Sequence, residues 1–460
     1  MRTSTDVAIW KTEVYKGERK TTYYVRWRVE KQPFREPRST TALANSFRSQ
    51  LVTAASKGEA FALESGLPVS MHRAKIDLTW YESAQRYADA KWDALAGNSR
   101  RNTAYSLSIA TLAMCKTDRG KPSDIVLNKA LAGWAFNKLQ RARKIPDAQL
   151  VDALEWLATN TRPVSDLAEP EYMRTVLDRL TRNANGSPAA PDTVARRRGV
   201  VYNAIGRWVA QGIFDKHPMD GIDWTAPKVD NEVDKRCVAN PTQVRTLLRA
   251  VRVQGRKGPR IPQTGPRHVA FFGCLYYAGL RPEEAANLRE RNLALPEEGW
   301  GTIILEGSAP VVGQQWADIA GRREERSLKH RSKKATRPVP CHPELTGLLR
   351  EHLAAFGTTE DGRLFRATNG GELGESTYHR IWRQARAATF TPDVFASPLA
   401  RVPYDLRHAC VSTWLNGGVE ATQVAEWAGH SVAVLLRIYA KCVDGRDEVN
   451  RRRIEEALGG

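Results

Sequence analysis

Two arginines, a histidine and a tyrosine stand at three separated places in the latter part of this chain, each placed where it could handle an anion. The first place is Tyr277-Ala278-Gly279-Leu280-Arg281-Pro282-Glu283-Glu284-Ala285-Ala286-Asn287-Leu288, where a helix stops at Gly279 and an arginine stands at the start of the next one. The second, Tyr404-Asp405-Leu406-Arg407-His408, opens another helix and again puts an arginine near its N-terminus. Helix starts carry unpaired N–H groups and the positive end of the helix dipole, so they favour anions. The third, Ala428-Gly429-His430-Ser431, reads as a turn followed by a short helix capped by Ser431, which carries Tyr439 about two turns on, ~12 Å along the axis. Singly, each piece has an ordinary use: a salt-bridged arginine, a helix-entry histidine, a core tyrosine.

In this order the pieces resemble the tyrosine recombinases, or phage integrases, of the type found in actinobacterial phages and mobile elements. The pattern is GLRxxE (Gly279 to Glu284), DLRH (Asp405 to His408), GHS (Gly429 to Ser431) and a tyrosine nine residues after that histidine, 439 − 430 = 9. The resemblance covers residues 237–445 and, more weakly, the chain before them. It implies that Tyr439 attacks the scissile DNA phosphate to form a 3′-phosphotyrosine, that Arg281 and Arg407 clamp the non-bridging oxygens, and that His430 hydrogen-bonds the same phosphate. Two planar guanidinium forks suit the charge that builds on phosphate oxygens during in-line attack better than two ammonium groups do. A free tyrosine, with a pKa of ~10, is neutral at pH 7 and needs a nearby cation or base to shed its proton. The arginine pair and His430 are expected to supply that field.

The family protonates the leaving 5′-oxygen with a lysine on a β-hairpin between the two arginines. In the segment from Glu325 to Pro340, Lys329 follows the strand-like Ser327-Leu328 and stands before the turn, which favours it; Lys333 is the alternative. The chain departs from the family in having Tyr404 where a histidine usually precedes the second arginine by three residues. At i and i+3 the phenol shares a face with Arg407 and can donate to a phosphate oxygen, but it cannot act as an imidazole acid or base. Glu284 is expected to orient its neighbours and not to react, and His408 to pack and hydrogen-bond.

The elements that must position these residues imply a multidomain, mainly α protein with small β elements. Alternation at Val7-Ala8-Ile9-Trp10 and Tyr23 to Val29, followed by a helix from Leu43 to Glu64, gives an N-terminal β-rich module over 1–67. Helical spacing through Leu78 to Trp224 gives a helical domain over 77–226, and residues 237–460 form an α+β domain that carries the three motifs and a tail helix. By resemblance these are an arm-type DNA-binding module, a core-binding domain and a catalytic domain. Lys20, Arg26 and Arg28 are then candidate contacts of the first, and Lys91, Arg100, Arg101, Thr193, Arg196 and Arg197 of the second, alongside Lys333 in the hairpin.

Composition agrees with a polyanionic partner. Lys and Arg number 70 against 51 Asp and Glu, a net charge of +19 over 460 residues, and releasing phosphate counterions is what such an excess does well. No run approaches the ~18 apolar residues of a membrane span, the N-terminus lacks a signal-peptide core, and the six cysteines are scattered singly. A soluble cytoplasmic, nucleoid-associated protein without metal or cofactor is expected, working as a homotetramer on double-stranded DNA attachment sites, with an excisionase or directionality factor as a further partner. The resemblance implies a site-specific recombinase acting through a Holliday junction. A type IB topoisomerase or telomere resolvase would share the site chemistry; relaxation of a plasmid lacking any specific site separates the topoisomerase. A DNA-binding regulator without catalysis would bind a nicked substrate yet form no covalent adduct.

Overall fold

The computed structural model describes residues 2–16, 21–71, 78–229, 232–255, 264–318, 321, 323–328, 335–439, 442 and 447–459. They fall into two compact units, Met1–Val229 and Asp230–Gly460. The sequence division at 1–67, 77–226 and 237–460 thus has its first two parts inside one unit.

The first unit begins with β1 (Thr3–Ser4), β2 (Val7–Ile9), β3 (Glu13–Lys16), β4 (Thr21–Val29) and β5 (Gln32–Arg38), then α1 (Thr41–Ser56) and β6 (Phe61–Ala62). β2 and β3 pair with successive halves of one edge of β4, and β5 runs antiparallel along the other. Alternation along β4 sends Val25, Trp27 and Val29 inward, where Ala44, Phe47 and Leu51 of α1 cover them. The same period turns Arg26 and Arg28 to the outer face. Thr40 caps α1 by accepting from the Leu43 amide. The helix stops at Ser56, well short of the expected Glu64, because Lys57 closes it and Gly58 follows with φ +73°. The next residues form β6, which pairs with β1.

Helices then follow at α2 (Trp80–Trp92), α3 (Gly97–Ala113), α4 (Asp124–Ala130), α5 (Lys138–Arg143), α6 (Ala148–Asn160), α7 (Pro170–Leu180) and α8 (Pro191–Ala210). A Thr79–Glu82 capping box starts α2, and its buried Trp80 meets Trp208 of α8 edge-on at 5.4 Å.

The second unit contains α9 (Pro241–Arg252), α10 (Pro266–Tyr277), α11 (Pro282–Ala285), β7 (Leu293–Ala294), β8 (Gly301–Leu305), β9 (Gly307–Ser308), β10 (Arg326–Ser327) and β11 (Arg337–Cys341). α12 (Pro343–Phe356), α13 (Glu375–Thr389), α14 (Pro392–Ala396), α15 (Asp405–Asn416), α16 (Ala421–Ala428), α17 (Val432–Tyr439) and α18 (Asp447–Ala457) complete it. The sheet order is β11-β8-β7, all antiparallel. One apolar cluster gathers α9, α10, α12, α13 and this sheet; a second joins Val411, Leu415, Val424, Ala428, Leu435 and Tyr439. Among the described residues no helix is long and apolar enough to cross a membrane.

Candidate active site

The first and third motifs each lie between one helix and the next, the second opens a helix, and these three places meet. α10 gives way at Ala278, Gly279 takes φ +58°, and Arg281 stands just before α11. Glu284 in that short helix reaches back to accept the Arg281 amide at 2.9 Å and its Nη1 at 2.8 Å. Arg281 Nη2 donates to the Gly429 carbonyl at 3.1 Å, so the first motif is tied to the third. Arg407, in the first turn of α15, donates through Nη1 to the Gly279 carbonyl and through Nη2 to Ala428 O and to His430 Nε2, the last at 3.0 Å. One fully buried guanidinium therefore holds all three places together.

Tyr439 closes the group. Ser431 caps α17 by accepting from the Val434 amide at 3.2 Å, and the helix then delivers the tyrosine ring to within 6.2 Å of the His430 ring. Near its far end the Val233 amide donates to Ile438 O at 2.9 Å, and beyond the helix Asn416 Nδ2 donates to Cys442 O at 3.0 Å. Tyr439 is 1% exposed and its hydroxyl lies 2.9 Å from His408 Nδ1. Burial pushes this phenol above its ordinary pKa, with Arg407 working in the opposite direction. Tyr404, half-buried, meets the His408 ring edge-on at 5.1 Å.

A further arginine completes the cluster without having been singled out in the sequence. Arg337, at the head of β11 and 2% exposed, grips Glu284 through two parallel bonds of 3.0 and 2.8 Å. Burial would raise the Glu284 pKa, but Arg337, Arg281 and Arg407 outweigh it and hold the carboxyl down at about 2. Gly429, with φ +65°, sits so close that a β-carbon there would overlap the Arg337 guanidinium and come within 3.4 Å of Arg281 Nη1.

The electrostatics of the cluster are lopsided. Three guanidiniums against one carboxylate leave a net of two positive charges, 3 − 1 = 2, in a place where Arg337 and Arg407 are almost wholly buried. Burial and the three arginines bring the His430 pKa to about 3, so the ring is neutral. A guanidinium can only donate, so His430 Nε2 accepts from Arg407 and the ring proton sits on Nδ1. Among the described residues, that nitrogen and Arg407 Nε are both buried without a hydrogen-bond partner. Such donors suit an anion with several acceptor oxygens.

Elsewhere the placements are mixed. Arg26 and Arg28 lie on the outer face of β4 beside acidic neighbours, Arg26 at 3.4 Å from Glu13 and Arg28 at 3.8 Å from Asp6. Lys91, Arg101 and Arg196 are exposed, and Thr193 is half-buried near the start of α8. Arg100 and Arg197 have partners within their own unit. Arg100 is 5% exposed, stacks over Trp92 and donates to its carbonyl at 2.9 Å. Arg197 spends its donors on Leu180 O, Arg182 O and Asn183 Oδ1, at 2.8 to 2.9 Å. Both are committed to their own fold. Lys20, Lys329 and Lys333 lie outside the described residues.

No protein-family model matches the chain. Among curated proteins it is similar to the tyrosine recombinase XerC of Nitrobacter winogradskyi, 25% identical over 217 residues, 46% of this chain and 56% of that one. XerC of Rhodospirillum centenum is 26% identical over 253 residues, 54% of this chain and 61% of the relative. The chain thus spans little more than half the length of these relatives. Among solved structures it is similar to the Tn1549 transposon integrase in complex with a circular intermediate DNA, with a TM-score of 0.48 and 14% identity over 70% of this chain and 97% of that one. The XerH recombinase bound to its difH substrate gives 0.47 and 14%, over 82% and 94% of the two chains. Its sequence relatives are thus tyrosine recombinases, and its own three motifs converge on one arginine-rich cluster beside a tyrosine.

Proposed function

We propose that this protein is a site-specific DNA recombinase that cuts and rejoins strands through a 3′-phosphotyrosine intermediate. The observation that carries the reading is the buried excess of two positive charges beside a phenol, with donors of Arg407 and His430 left unpartnered among the described residues. A phosphodiester brings the negative charge and the acceptor oxygens that such a cluster lacks, and the charge gained in the transition state is met by groups already in place. Tyr439 supplies the nucleophile, Arg281 and Arg407 grip the non-bridging oxygens, His430 donates to one of them, and Lys329 protonates the leaving 5′-oxygen. Bond energy is kept in the tyrosyl ester, so a partner strand's 5′-hydroxyl can reverse the step and pass through a Holliday junction. The natural setting is a homotetramer on the attachment sites of a phage or other mobile element in the bacterial cytoplasm, with an excisionase setting direction. Arg26, Arg28, Lys91, Arg101, Thr193 and Arg196 are the backbone contacts of the first unit.

The test uses nicked suicide duplexes drawn from DNA flanking the gene. The wild-type chain is expected to form a covalent adduct that resists denaturation, and Tyr439→Phe to bind the same duplex without forming any. An adduct that persists in Tyr439→Phe overturns the assignment of the nucleophile.

A further inference from the structure

The reaction needs a place for the tyrosine's proton, and Tyr404 cannot provide it. A phenol at that position can donate, but it is a poor proton acceptor at neutral pH. One turn further along α15 stands His408, whose Nδ1 is 2.9 Å from the Tyr439 hydroxyl, within the range of a direct proton-transfer contact. The three rings are neighbours: that of His408 lies 5.7 Å from the Tyr439 ring and 5.1 Å from that of Tyr404. Among the described residues three groups face it: Arg407 from its own helix, Tyr404 from that helix's N-cap and Tyr439 from α17. None of them is a carboxylate that could hold it protonated.

We propose that His408 is a catalytic residue, the base that takes the Tyr439 proton as the phenolic oxygen bonds to phosphorus. This rests on the recombinase reading above. In the step, the O–H electron pair of Tyr439 becomes the new O–P bond and the proton passes to His408 Nδ1. The P–O5′ bond breaks, and its electrons leave on the 5′-oxygen, which takes a proton from the general acid. Rejoining runs the same transfers backwards, with His408 returning the proton to Tyr439.

The surroundings make this base conditional on substrate. Burial, and then the positive charge of Arg407, lower the His408 pKa to about 4, so its ring is unprotonated and free to accept. A phosphate gripped by Arg407 offsets that charge, which raises the proton affinity of His408 when the phenol must be activated. Without DNA, the Tyr439 proton stays where it is.

Single-turnover adduct formation on the nicked duplex tests the assignment. His408→Asn keeps a hydrogen-bonding side-chain end near Nδ1 but cannot carry the proton away. It is expected to bind DNA like the wild type and to form adduct about 100-fold more slowly or worse. Its residual rate should climb from pH 7 to 9 as hydroxide replaces the base, while the wild-type rate stays flat. Added 4-methylimidazole should restore part of the rate to His408→Ala, which guards against a merely packing role. A wild-type rate in His408→Asn overturns the proposal, as does a slow rate with an unchanged pH profile and no rescue; in either case a Tyr439-dependent adduct leaves the recombinase reading standing. If the wild-type chain forms no adduct on any duplex from its flanks, that reading fails and takes the proposal with it.

Discussion

The second unit holds two sets of arginine–glutamate pairs with the same chemistry and opposite settings. On the surface, Arg245 and Arg252 of α9 reach Glu344 and Glu351 of α12, at 3.1 and 2.6 Å, with all four side chains 42 to 54% exposed. In the interior, Arg281 and Arg337 reach Glu284 at 2.8 Å, with Arg337 and Glu284 at 2 and 3%. Water and salt screen the outer pairs, whose members are solvated whether or not they meet. The inner three have given up their hydration and depend on each other, and on anything that adds negative charge. Similar distances therefore mark a fastening in one place and a receptor in the other.

The contrast breaks first at Glu284. Glu284→Gln leaves Arg281, Arg337 and Arg407 facing each other, and the second unit is expected to lose about 3–5 kcal/mol in urea unfolding. Adding Arg337→Met should recover part of that loss, since a missing guanidinium is better tolerated than an unpaired one; a double variant less stable than the single one would refute this account.

Acid sharpens the contrast. The folded pKa values of His408 and His430, about 4 and about 3, lie below the ordinary 6.5, so the unfolded chain binds protons first. Their stabilisation is complete above pH 6.5 and is lost as pH falls towards those values, at up to ~1.4 kcal/mol per pH unit for each ring. Glu284, lowered from 4.5 to about 2, adds the same sign of loss below pH 4.5. Urea midpoints should be level from pH 8 to 7 and fall steadily by pH 5; a midpoint unmoved at pH 5 would contradict the buried, neutral state of these rings. The outer pairs give the smallest effect. Glu351→Gln should cost no more than about 1 kcal/mol, and less in 1 M salt.

Much of the site is legible in the chain because its parts sit at helix breaks, and breaks leave strong local marks. Gly279, Gly429 and Ser431 announce where Arg281, His430 and Tyr439 must stand. Arg337 gives a weaker signal of another kind. In Arg337-Pro338-Val339-Pro340-Cys341 the strand period puts the arginine on the same inward face as Val339 and Cys341, and an inward arginine requires buried acceptors somewhere. Period alone does not say that the partner is Glu284, 53 residues earlier. The Tyr439–His408 contact is likewise invisible, since two helices 31 residues apart in sequence must first pack. In the first unit, the run from Leu43 to Glu64 keeps a helical composition past Ser56, and only the Lys57-Gly58 ending separates α1 from β6. Arg100 and Arg197 look like surface cations because neither their spacing nor their charge reveals the carbonyls that capture them.

Gly429 carries a consequence for how this protein tolerates change. Its backbone bends the way only glycine bends cheaply, its oxygen serves Arg281, and the space where a methyl group would stand is already filled by Arg337. In a saturation library at codon 429 selected for strand exchange, even alanine should be purged, and the sole survivor should be the parental residue.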